Sequence, residues 1–325
     1  MSSTWHVLLP SEIDPSGPES IADIARCTSV DEYDSVAAAL QDVGQYEAVI
    51  TRTAELDVDA IDRADRLRVI AKHGAGLDNV DIEAASRRGI VVCNTPGANA
   101  RSVAEHAVGL LFAVRRNLCP ADRHVRAGDW NRAAFSGHEL TGDTLGLFGF
   151  GAIAREVSDL ATGMGQTVLT YDPYVPDDEI PARVDRVTEL RQLFARSDAV
   201  SIHAPLTEET HGTVSTEELT ALGEHGVLVN TSRGPIVDEA SLLEALETGA
   251  LGGAGLDTFE EEPPGENHPL YARDDVLLTP HIGGVTDQAL ARMSQRAATN
   301  VRTVYEGDVP ESTVNRSAVE EEVET

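Results

Sequence analysis

The sequence predicts an α/β protein made of two Rossmann-like domains, each a doubly wound parallel sheet. Three observations predict this class. Short runs rich in Val, Ile and Leu alternate with segments of helical period along nearly the whole chain, which is the rhythm of βαβ units. One long helical segment interrupts the rhythm, and the 325 residues are enough for about two domains. Finally, one apolar strand runs into a helix through a glycine-rich turn.

The first set of elements lies before residue 99. Strands are expected at 6–9, 48–51, 68–73 and 90–94, and helices at 21–25, 57–64 and 82–88. Strands that alternate with helices pair in parallel and are covered on both faces, so this part of the chain predicts one parallel sheet.

The second set follows a long helical segment, 101–128, which we expect to break or bend at Pro120. Strands are expected at 144–150, 167–171, 199–203, 227–230, 253–257 and 276–278. A last helix at 287–305 lies beyond this set and is expected to return to the first domain. From Glu306 the composition turns polar, and 319–325 is expected to be a frayed tail.

The charge composition excludes several classes of partner. Lys and Arg number 25 and Asp and Glu number 55, which gives a net charge of −30. A nucleic acid or an anionic membrane is not expected as a partner, because both are bound through basic surfaces. Lys72 is the single lysine and the other 24 basic residues are Arg. Acidity together with lysine depletion predicts adaptation to a salt-rich cytosol, where charge is strongly screened; an ordinary acidic protein is the alternative.

Other composition features indicate a soluble cytoplasmic protein. The longest apolar runs fall far short of the roughly 20 residues that span a membrane, and no secretion signal is visible at the start. Cys27, Cys93 and Cys119 have no metal-like spacing and are expected to be reduced thiols. No metal site is predicted.

The sharpest motif is G-x-G-x-x-A at 149–154, between a strand and a helix. Gly149 permits a tight turn, Gly151 lets the backbone approach a pyrophosphate, and Ala154 lets the helix pack closely. The next strand ends at Asp172, 21 residues after Gly151, where a carboxylate accepts hydrogen bonds from an adenosine ribose. We therefore predict a dinucleotide site. Because an acid at this point repels a 2′-phosphate, NAD is favoured over NADP as the cofactor.

Four more polar segments follow later strands, where open α/β sheets bind their ligands. They are 203–206 (HAPL), 230–234 (NTSRG), 255–263 (GLDTFEEEP) and 279–284 (TPHIGG). Taken singly, each has an ordinary structural explanation: His203 as a strand-end residue, Arg233 as a helix cap, and Glu260 to Glu262 as a solvated charge run.

Taken in order, these motifs resemble the D-isomer-specific 2-hydroxyacid dehydrogenase family, which includes phosphoglycerate, glyoxylate/hydroxypyruvate and D-lactate dehydrogenases. The resemblance also rests on 72–80 (KHGAGLDNV), 94–99 (NTPGAN) and 103–106 (VAEH), and so covers nearly the whole chain. It implies a discontinuous substrate-binding domain, 1–98 and 286–325, and an NAD-binding Rossmann domain, 99–285.

The resemblance places the catalytic residues of the family at Arg233, Glu262 and His281. The chemistry suits these residue types. Arg offers a planar cation that holds a carboxylate and polarises a carbonyl. A histidine delivers a proton to the carbonyl oxygen, and a neighbouring carboxylate raises its pKa toward the working pH. Glu260 and Glu261 are local competitors, and the Glu-Pro step selects Glu262.

The resemblance also implies the binding residues. Cofactor contacts are expected at Gly149, Phe150, Gly151, Ala152, Ile153, Asp172, His203, Ala204, Pro205, Thr210, Thr231, Ser232, Arg233, Asp257, His281, Gly283 and Gly284. Substrate contacts are expected at Arg52, Gly74, Ala75, Gly76, Arg233 and His281. Six weaker candidates have structural alternatives as packing, capping or surface residues: His73, Ser102, His106, Trp130, His138 and His225.

The sequence therefore predicts an NAD-dependent enzyme that interconverts a 2-oxo acid and a D-2-hydroxy acid. By resemblance it is similar to a short phosphoglycerate dehydrogenase with no appended regulatory domain. A glyoxylate or hydroxypyruvate reductase, or a broad 2-oxo acid reductase, is the alternative. From another class, some relatives are NAD-sensing proteins without turnover. Glu262 argues against a formate dehydrogenase. A homodimer formed through 101–135 is expected by resemblance alone.

Overall fold

The structure, a computed structural model, describes residues 4–323. They form two compact units: unit 2 is Ala100–Gly284, and unit 1 is made from the residues before and after it. Each unit is built on one parallel sheet, of five strands in unit 1 and seven in unit 2 among the described residues. The predicted class of two parallel-sheet α/β domains, one of them discontinuous, is confirmed.

Before residue 100, strands and helices alternate. In chain order they are β1 (Trp5–Leu9), α1 (Ser16–Ser20), β2 (Ala25–Ser29), α2 (Val36–Gln41), β3 (Ala48–Thr51), α3 (Val58–Asp62), β4 (Val69–Lys72), α4 (Ile82–Arg87) and β5 (Val91–Cys93). The sheet order is β2-β1-β3-β4-β5.

Unit 2 starts with two helices and continues with the second sheet. Its elements are α5 (Ala100–Arg115), α6 (Leu118–Arg126), β6 (Thr144–Phe148), α7 (Ala152–Gly163), β7 (Thr167–Tyr171), β8 (Val184–Arg186), α8 (Leu190–Ala195), β9 (Ala199–Ile202), α9 (Thr216–Leu222), β10 (Val227–Asn230), α10 (Glu239–Thr248), β11 (Gly253–Leu256) and β12 (Val276–Leu278). The sheet order is β12-β11-β10-β9-β6-β7-β8.

The strand order in unit 2 reverses between β6 and β9. The chain runs from β6 outward through β7 and β8, then returns to the other side of β6 and continues from β9 to β12. Open α/β sheets bind ligands outside the carboxyl ends of the strands at such a switch point. The residues that follow β6, β7 and β9 are therefore well placed for a ligand.

The chain ends in unit 1 with α11 (Asp287–Tyr305) and α12 (Arg316–Val323). Ala297 and Val301 of α11 are fully buried in a cluster with Ile50 and Val69, on one face of the sheet. Val49 and Ile70, the neighbours of those strand residues, face the opposite cluster. Because both faces of this sheet are covered, its strands are continuously apolar rather than alternating.

The predicted helix at 21–25 is wrong. The segment is a turn that leads into β2, which pairs with β1 over five residues, from Trp5↔Ala25 to Leu9↔Ser29. Ile21 and Ala25 are both buried in the core, and their spacing of four mimics a helical face. The edge strands β2 and β8 were not expected, because short and partly exposed strands carry little apolar signal.

The break in the long helical segment lies earlier than predicted. Asn117 adopts a left-handed conformation, with φ of 52°, between α5 and α6. Asparagine tolerates this conformation better than most residues. Pro120 lies in the first turn of α6, where a missing N–H group costs little.

The expected frayed tail at 319–325 is also wrong as far as the structure describes it. Helix α12 continues to Val323, and residues 324–325 lie outside the described part. Asn315, just before the helix, accepts a hydrogen bond from the Val92 amide and donates to the Ile90 carbonyl, both at 2.9 Å. These bonds fix the start of α12 beside β5.

Candidate active site

The glycine-rich turn has the geometry of an anion cradle. Gly149 has a φ of +90°, and a Cβ atom there would lie 2.7 Å from the Ala204 nitrogen, so glycine is required. Helix α7 begins directly after Gly151, and a Cβ atom on Gly151 would meet no described atom within 4 Å. The turn thus leaves space at a helix N-terminus, where N–H groups attract a phosphate. These residues fit a dinucleotide.

Asp172 lies beside this turn, at the end of β7. Its Oδ2 accepts from the Phe150 amide at 2.8 Å, and its Oδ1 accepts from the amides of Tyr174 at 2.8 Å and Val175 at 3.1 Å. The carboxylate is therefore held in one orientation. It lines a pocket of about 490 Å³ in unit 2 together with Gly149, Tyr174 and Leu190.

The segment after β9 forms the other wall of this pocket. Ala204, Pro205 and Thr210 line it, and Thr210 Oγ1 donates to the Pro205 carbonyl at 2.6 Å. Ser232 Oγ donates to the Ala204 carbonyl at 2.5 Å, which ties this wall to the segment after β10. His203 is different: its ring nitrogens are buried without a hydrogen-bond partner in residues 4–323, and burial lowers its pKa to about 3. Its imidazole is therefore neutral.

The segment after β10 carries Thr231 and Arg233. Thr231 Oγ1 is buried and has no hydrogen-bond partner within the described chain, as expected of a group that awaits a ligand. The Asn230 side chain accepts from the Ser232 amide at 3.0 Å and donates to the Arg233 carbonyl at 2.9 Å, which shapes the loop. The positive charge of Arg233 acts on both Glu262 and His281 and tends to lower the pKa of each.

The loops that carry Arg233 and Glu262 touch at Gly234. A Cβ atom at this position would lie 1.8 Å from the carbonyl carbon and oxygen of Phe259. Only glycine permits this contact between backbones. The contact therefore fixes the position of one loop against the other.

His281 and Glu262 form a hydrogen-bonded pair. The Nδ1 of His281 donates to Oε2 of Glu262 at 2.7 Å, and Oε1 of Glu262 accepts from the Phe259 amide at 3.1 Å. The bond to Glu262 raises the pKa of His281 against the opposing effect of burial. Burial alone raises the pKa of Glu262, but the bond and charge of His281 outweigh it and the pKa is lowered. The pair favours a protonated imidazole whose Nε2 points away from Glu262.

The pair opens on a pocket of about 580 Å³ within unit 2. Its other lining residues are mostly apolar: Phe259, Pro263, Pro264, Tyr271, Leu278, Thr279 and Pro280. His281 keeps half of its side chain exposed. A group with this exposure can exchange a proton with a bound molecule.

Asp257 holds the turn that carries His281. Its Oδ1 accepts from the Ile282 amide at 2.9 Å and its Oδ2 from the Gly283 amide at 2.7 Å, while its carbonyl accepts from the His281 amide at 2.9 Å. His281 has a φ of 53°, which an ordinary residue adopts only when its surroundings impose it. Asp257 supplies that constraint. Burial alone raises the pKa of Asp257, but its hydrogen bonds outweigh this effect and lower it.

His106 belongs to the same network. The Thr279 hydroxyl donates to Asp257 Oδ1 at 2.5 Å, and its oxygen lies 3.0 Å from His106 Nε2. The sequence suggested a packing or capping residue on the long helix. His106 and Thr279 are 173 residues apart in the chain, and no local pattern indicates their contact.

The expected substrate residues Arg52, Gly74, Ala75 and Gly76 lie in unit 1, after β3 and β4. Gly74 donates its amide to Thr95 Oγ1 at 3.0 Å, and Asn94 Nδ2 donates to the Ala75 carbonyl at 2.7 Å. The loop is thus held firmly. His73 beside it is buried, which lowers its pKa, and its Nε2 lies 3.0 Å from the Leu290 carbonyl oxygen.

The remaining candidates lie at the surface or within helix α5. Trp130 is 74% exposed, and His138 and His225 are exposed as well. Ser102 is buried on α5.

From residue 4 to residue 323, no three His, Cys, Asp or Glu side chains are placed to hold a metal ion. In the same range, each helix is too short or too polar to cross a membrane.

Together, the switch-point sheet, the glycine turn and the His281–Glu262 pair define a dinucleotide-binding α/β protein equipped for acid–base chemistry. The family model described as "D-isomer specific 2-hydroxyacid dehydrogenase, NAD binding domain" matches residues 108–283. This chain belongs to that family.

Its relatives carry different activities in their names. The chain is 36% identical to a D-3-phosphoglycerate dehydrogenase of Methanocaldococcus jannaschii over 285 residues, 87% of this chain and 54% of that protein. It is 37% identical to a glyoxylate reductase of Thermococcus litoralis over 289 residues, 86% of this chain and 87% of that protein. The chain thus spans about half the length of the phosphoglycerate dehydrogenase.

A solved structure shows the same architecture. It is an NADPH-dependent glyoxylate/hydroxypyruvate reductase from Sinorhizobium meliloti, in complex with NADP and malonate. The TM-score is 0.84 at 30% identity, over 98% of both chains. The family therefore includes members that use NADP.

Proposed function

We propose that the chain is an NAD-dependent D-2-hydroxyacid dehydrogenase, which interconverts a 2-oxo acid and a D-2-hydroxy acid. The observation that carries this proposal is the hydrogen bond between His281 and Glu262, in the unit that also contains the glycine turn. The activities named for the relatives support it. Unit 2 is proposed to bind the cofactor and unit 1 to supply substrate contacts.

Substrate binding is assigned to positive charge and backbone amides. Arg233 in unit 2 is the cation beside the acid–base pair. In unit 1, Arg52 and the amides of Ala75 and Gly76 are the proposed holders of the substrate carboxylate. An arginine fork pairs with a carboxylate in a planar, bidentate geometry, which fixes the orientation of a small acid.

Bound NADH supplies the hydride for reduction of the carbonyl carbon. Arg233 stabilises the negative charge that develops on the carbonyl oxygen. His281, protonated because Glu262 accepts from Nδ1, delivers a proton from Nε2 to that oxygen. In the oxidation of a hydroxy acid, the neutral imidazole accepts the proton instead.

NAD is the proposed cofactor in preference to NADP. The support is Asp172, whose carboxylate is fixed at the end of β7 by three backbone amides. In this position it accepts hydrogen bonds from ribose hydroxyls and repels a 2′-phosphate.

The proposed substrate is similar to that of phosphoglycerate dehydrogenase, with glyoxylate or hydroxypyruvate as the alternative. The test is initial-rate oxidation of NADH and NADPH in multimolar KCl with glyoxylate, hydroxypyruvate, pyruvate, longer 2-oxo acids and 3-phosphohydroxypyruvate. Preference for 3-phosphohydroxypyruvate supports a substrate similar to that of phosphoglycerate dehydrogenase. Preference for an unphosphorylated acid supports glyoxylate or hydroxypyruvate. No turnover with any acid would overturn the enzyme proposal and favour an NAD-sensing protein.

A homodimer formed through the region of α6 is also proposed. Every residue of α6 keeps some solvent exposure, and Leu118 and Val125 are each 53% exposed. With Trp130 they place apolar surface on one short stretch of the chain, which is typical of an interface. Light scattering during size-exclusion chromatography in high salt tests this, and a monomer would contradict it.

A further inference from the structure

Lys72 is exceptional in this chain. It is the single lysine among 25 basic residues, and it is buried, with 8% of its surface exposed. Lysine is almost never buried unless its ammonium group is bonded, because an unpaired charge is costly away from water. A buried lysine in a chain that otherwise uses arginine indicates a position that requires an ammonium group.

The ammonium group of Lys72 joins two loops. It donates to the carbonyl of Arg52, the residue that follows β3, at 2.6 Å. It also donates to Oδ1 of Asn79, in the loop that follows β4. The ammonium thus connects the main chain at Arg52 to the loop that contains Gly74 to Gly76.

Asn79 completes the connection. Its Nδ2 donates to the Ala54 carbonyl at 2.6 Å, and its own carbonyl accepts from the Leu56 amide at 2.8 Å. Because Nδ2 is bonded to Ala54, the side-chain amide of Asn79 has one orientation, and its Oδ1 faces Lys72. Through Lys72 and Asn79, residues 52–56 are fastened to residues 72–79.

The lysine side chain also lies close to the loop itself. A Cβ atom on Gly74 would lie 3.4 Å from Cε of Lys72. That distance is an ordinary van der Waals contact, so the lysine stem lies directly beside the loop, and glycine is favoured here by its φ of +150°. The charge of the ammonium acts within the group of residues proposed to hold the substrate carboxylate.

We propose that Lys72 is a positioning residue for substrate binding: it fixes the main chain of Arg52 against the Gly74–Gly76 loop and adds a compact positive charge there. This inference rests on the proposed function of those residues. We expect arginine to be a poor substitute for Lys72, because its planar guanidinium is larger and presents its donors in a fixed fork rather than from one compact ammonium group.

Three variants test the proposal in the full-length protein. K72M removes charge and bridge, K72R keeps the charge, and N79S removes the side-chain acceptor. We expect K72M and K72R to raise KM for the best 2-oxo acid by roughly tenfold or more, since small misplacements of binding groups are costly. N79S is expected to raise it less. The dissociation constant of NADH is expected to be unchanged, because the glycine turn lies in unit 2.

Two outcomes would overturn the proposal. One is a wild-type KM in K72R or in K72M. The other is a parallel change in KM, kcat, NADH affinity and Tm, which would show that Lys72 serves only stability. R63K, a conservative change at an exposed residue, is the control. If the wild type turns over no 2-oxo acid, the proposed function fails instead.

A second measurement does not depend on turnover. Protein labelled with ¹³C-lysine gives one lysine Cε signal, because Lys72 is the single lysine. Oxalate, a small dicarboxylate that resembles a 2-oxo acid, is expected to shift this signal. The same titration of R63K provides an exposed lysine whose signal should stay in place. Absence of a shift for Lys72 at oxalate concentrations that saturate the protein would contradict the inference.

Discussion

His281 and Glu262 are 19 residues apart in sequence and share one hydrogen bond of 2.7 Å, from Nδ1 to Oε2. The bond fixes the tautomer of the imidazole and leaves Nε2 for the proposed proton transfer. The bond also raises the pKa of His281. The acid strength of His281 thus depends on Glu262, which does not contact the substrate in the proposed mechanism.

Replacing Glu262 by Gln should therefore change the pH dependence. Loss of the carboxylate lowers the pKa of His281, since its bond with Glu262 is the main cause of the raised value. Reduction of a 2-oxo acid needs protonated His281, so activity should be lost at a lower pH than in the wild type. The kcat should fall by roughly tenfold or more. Rates from pH 5 to 10 test this, with E261Q at the exposed neighbour as control; an unshifted alkaline limb would contradict the role of Glu262.

Replacing His281 itself should remove most turnover. Asn is the better substitute, because it tolerates the φ of 53° at this position. We expect H281N to lower kcat by a factor on the order of 10² to 10⁴ and to leave NADH binding nearly intact. Stopped-flow rates and fluorescence titration with NADH measure the two quantities. H138N, at an exposed histidine, is the control, and equal loss of turnover and binding would make His281 a structural residue.

Asp172 should determine the choice of cofactor. We expect D172S to lower the ratio of kcat/KM for NADH over NADPH by about tenfold or more, because both ribose hydrogen bonds and charge repulsion are lost. Measurements at low and high KCl separate these effects, since salt screens the repulsion and spares the hydrogen bonds. D178N, in an exposed turn, is the matched control. An unchanged ratio would exclude Asp172 as the selecting residue.

Asp257 should stabilise the fold as well as the site. In D257N an amide nitrogen replaces one of the oxygens that accept from Thr279, Ile282 and Gly283, so at least one donor loses its acceptor. A buried donor left unpaired costs about 1–3 kcal/mol. Urea unfolding should show this loss. D275N provides a comparison, because its carboxylate is less buried and pairs with Arg273. Wild-type stability of D257N would mean that the turn around His281 needs no such support.

The net charge predicts a strong dependence of stability on salt. With a charge of −30, the folded chain repels itself, and salt confines this repulsion to charges within about 10 Å of one another at 0.1 M and about 3 Å at 1 M. We expect Tm to rise steadily between 0.1 and 3 M KCl. Sucrose of equal osmolality separates screening from solvent exclusion. A flat response to KCl would indicate an ordinary acidic protein.

Much of the architecture could be predicted from sequence because it depends on local patterns. Buried parallel strands are continuous apolar runs, and the turn after β6 carries its own glycines. The turn into β2 could not be predicted, because Ile21 and Ala25 are spaced like residues of a helix and only pairing with β1 decides otherwise. Similarly, Asn315 fixes α12 through contacts with residues more than 200 positions away.

The candidate site shows the same division. The proposed acid His281, its partner Glu262 and the proposed cation Arg233 lie in motifs that the sequence shows. Lys72 and His106 also lie in such motifs, but the contacts proposed to matter do not follow from those motifs, because folding alone brings their partners close. His106 on α5 contacts Thr279, which follows β12, and Lys72 reaches Arg52 across adjacent strands. Neither contact can be predicted from the pattern of residue types along the chain.

The contact between Gly234 and Phe259 has a consequence for how this site can vary. Arg233 and Glu262 lie on separate loops. The distance between these loops is set by the main-chain contact of Gly234 with Phe259, and not by a side chain. The added methyl group of G234A would clash with the Phe259 carbonyl and push the two loops apart. Arg233 would then move away from Glu262 and His281, although all three side chains were retained. We therefore expect the site to tolerate substitution least at Gly234, a residue that takes no part in the proposed chemistry.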